Sequence, residues 1–426
     1  MLPCIGSQCT LTLRLLDPNC SPTDWLAMQY QSFDPTDCGF PKPKVPLLPA
    51  LGWQSLGRTE GGQFKLLEQT STARFFTRGR YALTEAYRLA GLGDGGALLA
   101  PSYHCRTMLD PAIRLGAAIG FYPLNADLSP DLAVLESRLS ACQQSVKAML
   151  VTHYFGFAQT LEPLADFCKQ NHIALIEDCS HALFVASPLS AIQEKAVIGK
   201  TGQFGVGSPY KFFPSEDGGL LWVNAEAVQP CAPLRAQSFR QELKGMVHAA
   251  HRAMSKPPDC SVTPRDNEGT LHSAGHDVLS ETSGTSPYYL SADEHRQGLA
   301  SSHWILQHTN IERLANRRRE HYMQWVHAVA TLPHCRALYP RLQDGTVPYM
   351  FPLYIDCPDP HFFSLKRLGV PIWRWDDMAV SQCSVAAGYR LQLLHLPCHQ
   401  ELSEDQMAWM VNAVKDVMLQ LPVGTE

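Results

Sequence analysis

The sequence predicts an α/β protein: a mostly parallel central sheet with helices on both faces, followed by a smaller C-terminal α+β domain. Three observations carry this reading. Between residues 97 and 180, short apolar runs alternate with amphipathic stretches of helical period. One of those runs, Ile173–Ile176, has no helical spacing, which suits a strand buried on both sides. The length of 426 residues exceeds what a single core holds, so at least two domains are expected.

Taken in order, residues 1–70 are rich in Pro and poor in long periodic runs, and read as an N-terminal arm with one short helix around Thr23–Gln31. Residues 71–255 form the large domain. It opens on an amphipathic helix from Thr77 to about Leu92, in which Tyr81, Ala82, Glu85, Ala86, Leu89 and Ala90 recur at helical spacing. Gly91–Gly96 contains G-x-G-x-x-G, but it follows a helix and precedes the strand Ala97–Ala100. That is the reverse of the dinucleotide-binding order, so it reads as a helix C-cap and turn. A helix at Asp110–Gly116, a strand at Ala118–Tyr122, a helix at Asp131–Ser140, a strand at Lys147–Thr152 and a helix at Leu161–Gln170 lead to the Ile173 strand. Leu220–Val223 is a further strand. Residues 256–292, dominated by Pro, Ser, Thr and Gly, read as a polar flexible insertion: a long loop or a disordered stretch. Residues 293–426 hold a long helix over 303–330, strands at Tyr349–Tyr354 and Pro371–Trp375, and a last helix, Glu404–Leu421, capped by Ser403. Arg317, Arg318 and Arg319 fall on the long helix and read as a solvated face.

Composition narrows the function. A formal net charge of −5 gives no electrostatic footprint for nucleic acid or an anionic membrane. No apolar stretch approaches the roughly 20 residues that cross a bilayer, and the first residues lack the basic and apolar regions of a signal peptide. The 14 cysteines are mostly scattered singly, without zinc-finger spacing, so reduced thiols in the cytoplasm and no metal site are expected.

The chemistry concentrates between Ile173 and Gly219. Glu177 and Asp178 end the buried run, and carboxyl ends of strands are where an open α/β sheet binds ligands. Lys211 follows, flanked by Pro209, Tyr210, Phe212, Phe213 and Pro214. An amine among aromatic and apolar neighbours is a candidate for Schiff-base chemistry. Taken singly, an Asp or a Lys is usually an ordinary surface residue; their flanking pattern favours function. Upstream, Gly79 opens a helix whose first N–H groups offer an anion site, with Arg80 beside it.

The pattern Glu177, Asp178, Ser180, His181, then Ser208, Lys211, Asp217, Gly218 and Gly219, resembles the DegT/DnrJ/EryC1/StrS family of fold-type-I, pyridoxal-phosphate-dependent aminotransferases. The resemblance runs from about Phe75 to the C-terminus and is strongest between Leu98 and Val223. It implies pyridoxal 5'-phosphate as cofactor, Lys211 as its covalent carrier and general base, and Asp178 against its ring nitrogen. His181 is implied at the ring or its phenolic oxygen, with Ser208, Gly79 and Arg80 at the phosphate. Where the family stacks an aromatic residue on the ring this chain has Cys105, so Tyr103 or His104 would have to serve. His153 in V-T-H-Y-F-G borders the site by the same resemblance and reads on its own as a structural histidine. The implied reaction is transamination of a keto group, on a nucleotide-linked sugar, with glutamate as donor and a homodimer as the working unit. Retention of Lys211 argues against the family branch that replaces it with His. A non-catalytic scaffold or ligand-binding relative is the other reading, since the phosphate and stacking positions depart from the family pattern.

Overall fold

The computed structural model describes residues 28–57, 64–66, 73–93, 95–142, 144–186, 198–224, 232–254, 276–282 and 284–419. Its centre is a seven-stranded sheet. Its strands are β1 (Ala73–Phe76), β2 (Ala97–Pro101), β3 (Ala118–Tyr122), β4 (Val146–Thr152), β5 (Ala174–Asp178), β6 (Phe204–Gly207) and β7 (Gly219–Val223). The spatial order is β1-β7-β6-β5-β4-β2-β3. The pairs from β6 to β3 are parallel, and β7 runs antiparallel to both β6 and β1. All of β2 and nearly all of β4 and β5 are buried, as strands covered on both faces must be. Connections through helices such as Arg106–Arg114 and Glu162–Gln170 supply the cover. This is the mostly parallel central sheet that the sequence predicts.

Register decides what meets at the sheet edge. Thr152 of β4 pairs with Asp178 of β5, and Asp178 with Val206 of β6. The three strands therefore finish level, and the residues after them emerge side by side. Smaller antiparallel sheets surround this one. Cys335–Ala337, Met350–Ile355 and Leu393–Pro397 form one, and Phe64–Leu66 pairs with Phe184–Ala186.

Several expectations are corrected. Met28–Asp34 is a strand, where a helix over Thr23–Gln31 was expected; residues before 28 lie outside the described residues. The reason is tertiary: all seven of its residues pair with His276–Thr282, and Tyr30 and Gln31 also pair with Ala379 and Met378. That partner strand falls inside the 256–292 stretch read as a loop or disordered, of which residues 256–275 lie outside the described residues. The expected helix over 303–330 is two, Ala300–His308 and Ile311–Val329. Asn310 interrupts it because its side chain accepts the Arg313 N–H at 3.0 Å and caps the second helix. The expected strand Pro371–Trp375 amounts to a single bridge, Trp373 to His395. Asp131 caps a short turn ahead of the helix Leu135–Ala141 rather than starting the helix itself. The arginine run is not a uniformly solvated face, for Arg318 is fully buried. Among the described residues, no helix is long and apolar enough to cross a membrane.

Candidate active site

Asp178 closes β5 and is 1 % exposed. Its Oδ1 accepts the Ser180 N–H at 2.9 Å, and among the described residues this is its one side-chain hydrogen bond. An ionised carboxyl can accept about four, so a buried one with a single neutral donor is short of partners. A protonated nitrogen would supply both a donor and a counter-charge.

Glu177, one residue earlier, points to the other face and has the opposite status. It accepts N–H groups from Gly199 at 2.6 Å, Thr201 at 2.7 Å and Gly202 at 2.7 Å. It also takes the His153 Nε2–H at 3.0 Å, and His153 Nδ1 accepts the Gln159 N–H at 3.0 Å, which fixes the tautomer. His153, Glu177 and Cys179 cluster closely enough to suggest a metal, but the oxygens of Glu177 are already filled by N–H donors. Glu177 and His153 hold the 199–202 turn; they do not face the reaction.

Around the Gly79–Leu89 helix N-terminus, Gly79 touches Ser208 so closely that a Cβ there would lie 2.2 Å from the Ser208 Oγ. Ser208 Oγ in turn donates to Ser180 Oγ at 2.9 Å. Two hydroxyls thus converge on a helix start whose first N–H groups lack intrahelical acceptors, a donor set that fits a phosphate. The Arg80 side chain is directed elsewhere: its guanidinium donates to the Tyr288 carbonyl. What Arg80 offers this corner is its backbone N–H.

Lys211 follows β6 in a short 3-10 turn, Pro209–Lys211. Its Nζ lies 5.5 Å from the centre of the Tyr349 ring, with no carboxylate within ion-pair reach among the described residues. His181 is buried, stacks on Tyr349 at 4.4 Å, and through Nδ1 accepts a long bond from the Phe155 N–H at 3.5 Å. Burial, then the Lys211 charge, then His395, hold the His181 pKa well below the usual imidazole range. Burial and Lys211 likewise push His395 down to about 3. Two neutral imidazoles therefore flank the amine. Tyr103 shares a 2.9 Å hydrogen bond with His395 Nε2 and packs on Trp375 with ring centres 4.9 Å apart. His104 is directed away: Nδ1–H donates to the carbonyls of Pro101 and Ser102 at 3.1 and 3.0 Å, and Nε2 accepts the Ala379 N–H at 3.1 Å. Its ring stacks on Phe121. Of the two residues expected to serve for stacking, His104 is thus occupied, and Tyr103 bonds His395, the imidazole whose pKa the Lys211 charge lowers.

Sequence reasoning missed Tyr349, Trp375, His395 and Arg318. Tyr349 is delivered by a close approach. Gly156 has φ +104°, and a Cβ there would meet the Val347 carbonyl at 2.5 Å; next to it the Tyr349 N–H bonds the Phe155 carbonyl at 2.9 Å. Arg318 ties the two halves of the site together. It donates to the carbonyls of Lys211 (3.2 Å), Phe212 (3.2 Å), Pro348 (3.1 Å) and Tyr349 (3.0 Å), and to Gln400 Oε1 at 2.8 Å. Burial lowers its pKa to about 10, so it remains charged at neutral pH. The only sequence signal was the arginine run itself.

Residues 64–255 match the sequence model of the DegT/DnrJ/EryC1/StrS aminotransferase family. The chain is 25 % identical to a GDP-perosamine synthase of Vibrio cholerae over 42 % of its own length and 47 % of that protein. It is also 25 % identical to a UDP-4-amino-4-deoxy-L-arabinose–oxoglutarate aminotransferase of Shewanella sediminis, over 48 % of this chain and 57 % of that one. The matches thus span about half the length of these curated relatives. Among solved structures, PseC of Helicobacter pylori, an aminotransferase involved in pseudoaminic acid biosynthesis, superposes with a TM-score of 0.56 at 16 % identity. That comparison covers 86 % of this chain and 98 % of that one. A DegT DnrJ EryC1 StrS aminotransferase from Brucella abortus gives 0.54 at 16 % identity, covering 83 % and 88 %. At these identities the structures speak for the fold.

Proposed function

We infer, for a chain that through residues 64–255 belongs to the DegT/DnrJ/EryC1/StrS aminotransferase family, that it is a pyridoxal-phosphate-dependent aminotransferase. The acceptor is a keto group of a nucleotide-linked sugar and the donor is glutamate. The observation that carries the reading is the pairing of two incomplete groups on one sheet edge. Among the described residues, Asp178 is a buried carboxylate with one donor, and Lys211 is an amine with no carboxylate partner.

The residues present fit the cofactor. Asp178 would hold the proton on its ring nitrogen, and Lys211 would be its point of covalent attachment. The Gly79 and Arg80 N–H groups with the Ser208 hydroxyl would take the phosphate. When bound, pyridoxal phosphate supplies an electron sink for a carbanion next to nitrogen. This chain's residues do the rest. Lys211 Nζ accepts and returns a proton at the reacting carbon, and the neutral His395 and His181 beside it compete for no proton at pH 7. His181 Nδ1 accepts the Phe155 N–H, so its proton sits on Nε2, which would be the donor available to an oxygen of the cofactor. Tyr349 packs beside the partly exposed amine, with His181 stacked on it and Trp375 and Tyr103 behind.

The substrate class follows relatives named for GDP- and UDP-linked sugars. The reading extends to a homodimer in the cytoplasm, which the free thiols of the described cysteines support. The test is spectroscopic. The purified protein with pyridoxal phosphate should absorb above roughly 400 nm through the conjugated lysine link, lose that band in Lys211→Ala, and bleach it on adding glutamate. A protein that stays colourless with excess cofactor would be the scaffold instead.

A further inference from the structure

A cavity lies between the N-terminal segment and the Pro358–Leu368 helix. It measures ≈ 600 Å³ and is walled in part by Phe33, Phe40, Phe362, Lys366, Arg374 and Asp376. That volume is within the usual range for small-molecule sites. Lys366 is half-buried, its Nζ 5.6 Å from the Phe40 ring centre, and no carboxylate pairs with it among the described residues. The Arg374 guanidinium lies 3.7 Å from the Phe362 ring centre and 4.8 Å from that of Phe33. Asp376, the one acid on the wall, is already bound to Arg374 at 3.2 Å. The cavity therefore presents aromatic surface beside a cation that has no carboxylate at ion-pair distance among the described residues. Burial and then the neighbouring Arg374 lower the Lys366 pKa, Asp376 offsets part of this, and the net downward shift is one an incoming anion would reverse.

We propose that this cleft binds a nucleoside phosphate, with the base against Phe33 and Phe40 and the phosphate on Lys366. A compact ammonium suits a phosphate as a point charge, and half-exposed rings suit a flat base. The cleft is distinct from the Lys211 site but shares a wall with it. Trp373 lines the cleft and exchanges both backbone hydrogen bonds with His395, at 3.0 and 2.8 Å, while Trp375 packs on Tyr103 and His181. The ligand is either the handle of the sugar nucleotide or a separate nucleotide, and only the first of these rests on the acceptor reading above.

The test is calorimetric titration of the full chain, loaded with pyridoxal phosphate, with UDP, GDP and inorganic phosphate. One or both nucleotides bind, more tightly than phosphate. Lys366→Gln weakens them about tenfold or more, and Lys366→Arg restores most of the loss. Both variants keep the thermal midpoint and the long-wavelength band, which shows that they fold. Displacement of the nucleotide by a sugar nucleotide assigns the cleft to the substrate handle; simultaneous binding of both assigns it to a separate nucleotide. Binding that is absent, or unchanged in Lys366→Gln, overturns the proposal. Bleaching by glutamate reads the aminotransferase assignment independently of either result.

Discussion

Replacing Arg318 by Met tests whether one buried guanidinium holds the site together. The substitution roughly conserves volume and removes five hydrogen bonds, leaving the carbonyls of Lys211, Phe212, Pro348 and Tyr349 without this donor. Hydrogen bonds to a charged donor are worth about 1.5–3 kcal/mol each. The sum overstates the effect, because the substitution also removes the desolvation penalty of a buried charge. Gln400 also donates to the Phe212 carbonyl at 2.9 Å, so that acceptor keeps a partner. A net loss of about 3–5 kcal/mol, the range for breaking a buried polar cluster, is the working figure. With an unfolding entropy of about 2.1 cal/mol/K per residue, this lowers the melting midpoint by about 3–6 °C for a chain of this size. Because Lys211 and Tyr349 are both anchored through Arg318, cofactor affinity should fall as well, by at least about tenfold. Differential scanning fluorimetry and titration of the cofactor band measure the two. Arg318→Lys, with one compact ammonium, should recover only part of either. An Arg318→Met protein that melts and binds cofactor like the parent would refute the argument that this residue positions the site.

Other expectations follow from the same geometry. Asp178→Asn keeps an acceptor for the Ser180 N–H but loses the charge, so the single-turnover rate with glutamate should drop about 10²–10³-fold with little change in melting. Gly79→Ala places a methyl 2.2 Å from the Ser208 Oγ and should destabilise by about 1–3 kcal/mol. Ser208→Ala in the same chain should relieve most of that, a coupling that chemical denaturation of the four variants would reveal or rule out. Burial lowers the pKa of His104 and His321 to about 4, and of His395 and His399 to about 3. Groups depressed in the folded state favour folding while neutral. That stability is intact above the unfolded value near 6.5 and is lost as pH falls toward 3–4, by up to about 1.4 kcal/mol per pH unit for each histidine. A melting midpoint that does not decline between pH 6.5 and 5 would contradict this.

What could be read from the chain was what is encoded over short distances. The parallel α/β core from Ala97 to Asp178 was legible because strand runs and helix periods are local patterns. The Glu177–Asp178 pair and Lys211 could be singled out as candidates because strand ends and aromatic flanks are recognisable within a few residues. The misread elements depend on distant partners. Met28–Asp34 becomes a strand only because His276–Thr282 lies alongside it, and Arg318 is buried only because four carbonyls and Gln400 converge on it.

The sequence alone determined the fold class, and it singled out the acid and the amine as the candidates on which the proposed function rests. The tertiary structure decided which of two adjacent acids is left wanting a partner, which of Tyr103 and His104 stays beside Lys211, and which residues close the site from the C-terminal side. Alternation along a strand sends Glu177 and Asp178 to opposite faces, but only the folded neighbours show that one face offers four N–H donors and the other a single one. A side chain's chemistry is written in the chain; whether its hydrogen-bonding capacity is already filled depends on neighbours that only folding brings alongside.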